Sequence, residues 1–146
     1  MTLKDYLRTC VDLATNNGVL YNRNFFLIPR VFCKDGFSIS IQCSDGSYCA
    51  SELGVRTYGS DWVKAEWGFP SEAIDGKKYN AEQEDNTTET VGGYVDTDLL
   101  QELLDEHGGL DLEQTINELK NRCKADFHMK NYPESKKYLD YFTKES

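Results

Sequence analysis

Five thiols and two imidazoles are the residues of this chain with the clearest capacity for covalent chemistry: Cys10, Cys33, Cys43, Cys49 and Cys123, with His107 and His128. A thiol attacks as its thiolate beside a base, so each Cys–His pair is a formal candidate. No local signature selects one pairing. No C-x-x-C pair occurs, so the tight ligand pairs of a structural zinc are missing and no metal is expected. Asp96 and Asp98 stand two apart before an apolar run. Such a pair can hold a divalent cation. The same positions suit a helix N-cap and its first-turn acid, and the further oxygens of an EF-hand loop are lacking, so capping is the better reading. Asp35-Gly36 and Asp45-Gly46 read as turns. There is no phosphate-binding glycine loop, no H-E-x-x-H and no nucleophile elbow. Trp62 and Trp67, with Tyr58, Phe69 and Tyr79 nearby, are a ligand platform or, more commonly for such residues, core. No cofactor is expected, and the chain reads as a non-enzyme.

Charge is more informative. The 146 residues carry 16 Lys and Arg against 25 Asp and Glu, a net of −9. Neutralising phosphates needs a basic face, so direct nucleic-acid binding is not expected. Residues 61–120 hold 16 acids and 4 bases, a net of −12, and the remainder is +3. The densest part runs through Glu82, Glu84, Asp85, Glu89, Asp96, Asp98, Glu102, Asp105 and Glu106. A concentrated negative surface steers association with a basic partner and does so less at high salt. On charge alone, a solvated face is the simpler reading.

The elements that would position these residues follow from periodicity. Thr2 and Asp5 resemble a capping box, and Leu3, Leu7, Cys10, Val11 and Ala14 recur at helical spacing, which predicts a helix over 3–16 stopped by Asn17-Gly18. Phe25 to Cys33 reads as an edge strand, because Pro29 cannot donate to a ladder. Lys34-Asp35-Gly36 predicts a hairpin into a strand with Phe37, Ile39 and Ile41 on its buried face. Ser44-Asp45-Gly46-Ser47 is a second turn. In the next strand, Trp62, Lys64 and Glu66 would share one face, and Val63, Ala65 and Trp67 the other. Ser71 to Thr87 reads as an exposed connection. Thr88 to Val95 is a fourth strand, bulged or closely approached at Gly92-Gly93. Asp96 or Thr97 caps a helix closed by His107-Gly108-Gly109, and Asp111 caps another. Pro133 leads into a last one with Tyr138, Leu139, Tyr141 and Phe142. The fold class is α+β: one domain, 1–146, with a small, mostly antiparallel sheet of about four strands over about 20–110. An N-terminal helix precedes it, and a helical extension of two or three helices spans about 111–146. No apolar run approaches about 18 residues, so no membrane span is expected, and nothing at the N-terminus reads as a secretion signal. An odd thiol count without that signal points to the cytoplasm. The edge strand with Pro29 and the last helix are the two surfaces through which a homodimer would form.

Several phrases occur together in order: Cys33-Lys34-Asp35-Gly36-Phe37-Ser38-Ile39-Ser40-Ile41-Gln42, Tyr48-Cys49, Glu66-Trp67-Gly68-Phe69-Pro70-Ser71-Glu72, Thr90-Val91-Gly92-Gly93-Tyr94-Val95, Leu99-Leu100-Gln101-Glu102-Leu103-Leu104 and His107-Gly108-Gly109-Leu110. This order resembles small uncharacterised proteins carried by phages, prophages and conjugative elements of Firmicutes, over roughly 30–110. The resemblance carries no catalytic residues. It implies a mobile-element protein acting inside a bacterial host, and an anti-CRISPR role is one such job: a negative surface occupying the basic cleft of Cas9, or of its guide-RNA complex, where nucleic acid would load. The alternative is a non-catalytic adaptor of phage or plasmid proteins that binds through apolar helix faces.

Overall fold

The computed structural model describes residues 1–15, 26–44, 46–54, 60–82 and 87–144. Thr2 opens helix α1, Leu3–Thr15. Its Oγ1 accepts from Asp5 N at 3.2 Å, satisfying one of the free donors of a helix start. Leu3, Tyr6, Leu7, Cys10, Val11 and Ala14 are all buried, as their spacing on one helix face requires. The Asn17-Gly18 stop lies outside the described residues.

The sheet is antiparallel and built around one long strand. Its members are β1 (Val31–Phe32), β2 (Ser38–Gln42), β3 (Ala50–Ser51), β4 (Trp62–Gly68) and β5 (Val91–Asp96). One edge of β4 pairs with β3 at its start and with β2 at its end, and β5 lies along the other edge. β1 pairs with β2 at the margin of the sheet, where the sequence put an edge strand. That strand is shorter than the Phe25–Cys33 run: Pro29 and Arg30 stay outside the ladder, and Phe25 is not among the described residues. The Asp35-Gly36 turn forms as expected. Phe37 N donates to Asp35 Oδ1 at 2.8 Å and Gly36 takes φ +95°. Two-residue β3 is the strand that raises the count from about four to five.

Strict alternation fails in β4. Trp62, Ala65 and Trp67 are all buried, so the expected grouping of Trp62 with Lys64 and Glu66 does not hold. The register shift against β3 accounts for it: adjacent Ala50 and Ser51 pair with Lys64 and Trp62, which leaves Val63 as an extra residue in β4. A second shift lies across from Glu66, where Gly93 and Tyr94 form a bulge in β5. Tyr94 takes φ 51°, and Asn80 Nδ2 donates to Gly93 O at 2.7 Å. Gly92 is where the backbone approaches closest. A Cβ there would lie 2.3 Å from Trp67 Nε1 and 2.6 Å from Tyr79 O. Trp67 Nε1 donates to Tyr79 O at 2.7 Å, so the 71–82 segment is tied onto the sheet. Tyr79 is 3% exposed, which corrects the expectation of an exposed connection at that point.

Four helices follow: α2 (Thr97–Glu106), α3 (Leu112–Cys123), α4 (Asp126–Asn131) and α5 (Ser135–Phe142). Asp96 caps α2 by accepting from Asp98 N at 2.9 Å, and Asp111 caps α3 through Gln114 N at 3.1 Å. Leu119 of α3 and Tyr138 of α5 belong to the same core as Leu3, Ile39, Trp62 and Leu100. Helices α3 and α5 thus each contribute a buried side chain to that core. Glu134, itself buried, ties α5 to the chain before β1 by accepting from Leu27 N at 3.1 Å.

Candidate functional site

Helix α2 turns Leu100, Leu103 and Leu104 inward and leaves Asp98, Glu102, Asp105 and Glu106 exposed. Asp98, Glu102 and Glu106 are four residues apart in turn, a row of like charges that weakens an isolated helix. Lys4 relieves the first of them, with Nζ 3.0 Å from Asp98 Oδ1. Among the described residues, Glu102, Asp105 and Glu106 have no cationic partner within ion-pair distance. Asp105 only accepts from Gln101 Nε2 at 2.9 Å. Asp105 and Glu106 also sit in the last turn, at the negative end of the helix dipole, where carboxylates are unfavourable by about 0.3–1 kcal/mol each. No basic residue occupies that turn.

Beyond this end lies an open cleft of about 300 Å³ whose wall includes Glu72, Asp75, Lys78, Tyr79, Glu106 and His107. Three carboxylates face one lysine across it. Burial raises the Tyr79 hydroxyl pKa; Lys78 works against the shift, and Glu106 and Glu102 add to it. His107 forms the floor between two acids. Its Nδ1 is 2.7 Å from Asp35 Oδ2, its Nε2 is 3.7 Å from Glu72 Oε1, and its ring stacks on Phe37 at 4.0 Å. The Phe37 N–H and then the His107 ring hold the Asp35 carboxyl below its usual range.

The nine carboxylates singled out in the sequence are thus only partly gathered. Asp98, Glu102, Asp105 and Glu106 share the exposed side of α2. Asp96 is exposed but committed to capping, as the pairing with Asp98 implied. Glu82 is exposed beside the start of β5, its N donating to Val91 O at 2.9 Å. Glu89 is exposed in the turn before β5. Glu84 and Asp85 lie outside the described residues. Asp35, Glu72 and Asp75 join the cleft without having been singled out. Glu72 and Asp75 lie in the net −12 stretch, and a negative segment short of apolar residues beside a helix end was the available signal.

The thiols are placed for packing. Cys10, Cys33, Cys43 and Cys49 are buried and Cys123 is half-buried, all as free thiols. Burial pushes Cys33 up to about 12 and also raises Cys10, Cys43 and Cys123, which suppresses the nucleophilic thiolate. Trp62 and Trp67 are core residues, Phe69 is exposed, and Tyr58 is outside the described residues. Among the described residues, no group of three or more His, Cys, Asp or Glu side chains could hold a metal ion, and no helix is long and apolar enough to cross a membrane.

No protein-family model, curated protein or solved structure matches this chain.

Proposed function

We propose that this chain is a non-enzymatic inhibitor from a mobile element that binds a basic, nucleic-acid-handling host protein through the α2 face and the adjoining cleft. The observation that carries this is the position of Asp105 and Glu106. They are exposed, lack cationic partners among the described residues, and oppose the helix dipole, so their placement costs stability. Charges that the fold does not reward are most simply explained by what they meet outside it. A partner that offers Arg or Lys relieves the repulsion and seats a cationic side chain between Glu72, Asp75 and Glu106.

The resemblance to mobile-element proteins makes Cas9, or Cas9 with its guide RNA, the first partner to test, inside the bacterial cytoplasm. Its nucleic-acid channels are lined by the Arg and Lys that such a surface would occupy. The experiment is a binding titration of the purified chain against Cas9 and the Cas9–guide complex, with target-DNA cleavage measured in parallel. Binding that weakens steeply with salt, together with loss of cleavage, is the expected result. No binding to either form overturns the Cas9 assignment. The alternative is an adaptor of phage or plasmid proteins binding through apolar helix faces; of Tyr138, Leu139, Tyr141 and Phe142 on α5, Tyr138 is buried, Leu139 and Phe142 are partly buried against the core, and Tyr141 is 52% exposed.

A further inference from the structure

A second charged region lies away from the α2 cleft, in a cavity of about 110 Å³ between α3, β2 and residues 27–30. Its walls include Arg30, Gln42, Thr115, Glu118, Arg122 and His128. Most of this polar lining is already spoken for. Gln42 Oε1 accepts from Ile28 N at 2.9 Å, and its Nε2 donates to Ile28 O and Ser40 Oγ. Thr115 Oγ1 accepts from Phe32 N and donates to Asp111 O. His128 Nε2 and Ser135 Oγ are bonded at 2.9 Å.

The two guanidinium groups differ from the rest. Arg30 donates through Nε and Nη2 to Ser38 Oγ, Ser38 O and Phe69 O, all neutral oxygens. Among the described residues it has no carboxylate within ion-pair distance, and no hydrogen bond uses its Nη1. Arg122 has one acidic partner, Glu118, with Nε 3.7 Å from Oε1. Two cations therefore share one carboxylate around a partly open cavity, in a chain whose net charge is −9. Buried Glu134 is close in sequence to Ser135, but it is bonded to Leu27 N and is not part of the wall. Burial and then the Arg122 charge hold the Arg30 pKa down, and the same two causes lower that of His128. Burial is the larger cause in both, Arg122 adds to each, and Glu118 offsets part of the shift at Arg30.

We propose that this cavity binds a small oxyanion of phosphate size between the guanidinium groups of Arg30 and Arg122, with the His128–Ser135 pair at its wall. The planar fork of Arg matches two oxygens of a tetrahedral anion, and charge-assisted bonds of this kind are the strong ones. The volume has room for one such ion and too little for a nucleoside. Arg122 and Glu118 are about half-exposed and form the mouth, so the anion is either free phosphate or the end of a phosphomonoester. Glu118 competes with the anion for Arg122.

The test is calorimetric titration of the whole chain with inorganic phosphate at constant ionic strength in chloride, with acetate and methyl phosphate in parallel. Saturable phosphate binding that acetate does not reproduce is expected. Arg122→Gln should weaken it roughly tenfold or more, and Glu118→Gln should tighten it several-fold. Both positions are half-exposed, and thermal melts without anion check that the variants fold. Methyl phosphate binding as well as phosphate assigns a phosphomonoester; markedly weaker binding assigns the free ion. No saturable binding, equal binding of acetate, or an Arg122→Gln variant that binds as the parent does would overturn the proposal.

Discussion

The C-terminal end of α2 and the cavity beside α3 both crowd like charges, and the fold treats the two in opposite ways. At α2, Asp105 and Glu106 are exposed at the negative end of the helix dipole, and among the described residues neither has a cationic partner. In the cavity, Arg30 is fixed by Ser38 and by the carbonyl of Phe69, a residue held at φ 51°. The first set of charges costs stability locally and is free to meet a partner. The second is built into the joint between β2, β4 and the segment before β1, and an anion would complete it. A charge count reports both as polar surface; only the bonds each makes separate them.

The contrast breaks most directly at Arg30. Arg30→Met removes three hydrogen bonds, one of which restrains Phe69, and should destabilise the fold by about 2–3 kcal/mol in a urea melt. A loss below about 0.5 kcal/mol would place Arg30 with the surface charges instead. Reversal at the other pole should act with the opposite sign. Asp105→Lys with Glu106→Lys removes repulsion along α2 and complements its dipole, so the same melt should show a gain of about 0.5–1 kcal/mol while partner binding is lost.

Acid titration sharpens the picture further. Burial and Arg122 lower the folded-state pKa of His128 from its ordinary 6.5. Its neutral form is favoured by folding, so the stability it contributes is present above about pH 6.5 and is lost as pH falls through the lower folded value. Arg122→Gln removes the second of those causes and should move the His128 NMR titration upward, with burial still holding it below 6.5. The smallest effect belongs to Asp35. Its carboxylate form is favoured by Phe37 N and His107, so its contribution is present above about pH 3.8 and is lost as pH falls through the depressed folded value. Asp35→Asn should flatten the acid limb of the stability curve and lower stability slightly in the neutral range, where the carboxylate's contribution is present.

Much of the fold was legible because local chemistry agreed with tertiary structure. Thr2, Asp96 and Asp111 cap where their side chains predicted, and Gly36 supplies the positive φ of the hairpin turn. The Gly92-Gly93 irregularity is a bulge with Trp67 pressed against it. What escaped was short or non-local. Two residues of β3 and six of α4 carry too little periodicity to be seen. The faces of β4 were misread at Trp62, because the register shift against β3 leaves Val63 as an extra residue there, a pairing between distant stretches. The acidic end of α2 was visible as charge, but its cleft needed Glu72 and Asp75, brought in by Tyr79. The Arg30–Arg122 cavity joins residues far apart in sequence. Its one local sign was a lone arginine in the apolar run from Phe26 to Cys33, which Pro29 made easy to dismiss as a strand break.

The claim that the α2 face is a docking surface is tested most directly by measuring affinity for the Cas9–guide complex across a salt series. The parent chain is compared there with the variant carrying Asp98→Lys, Glu102→Lys, Asp105→Lys and Glu106→Lys. The parent is expected to bind at low salt with an affinity that falls steeply as salt rises, and the folded variant is expected not to bind. A folded variant that binds as tightly as the parent, with the same salt dependence, would contradict it.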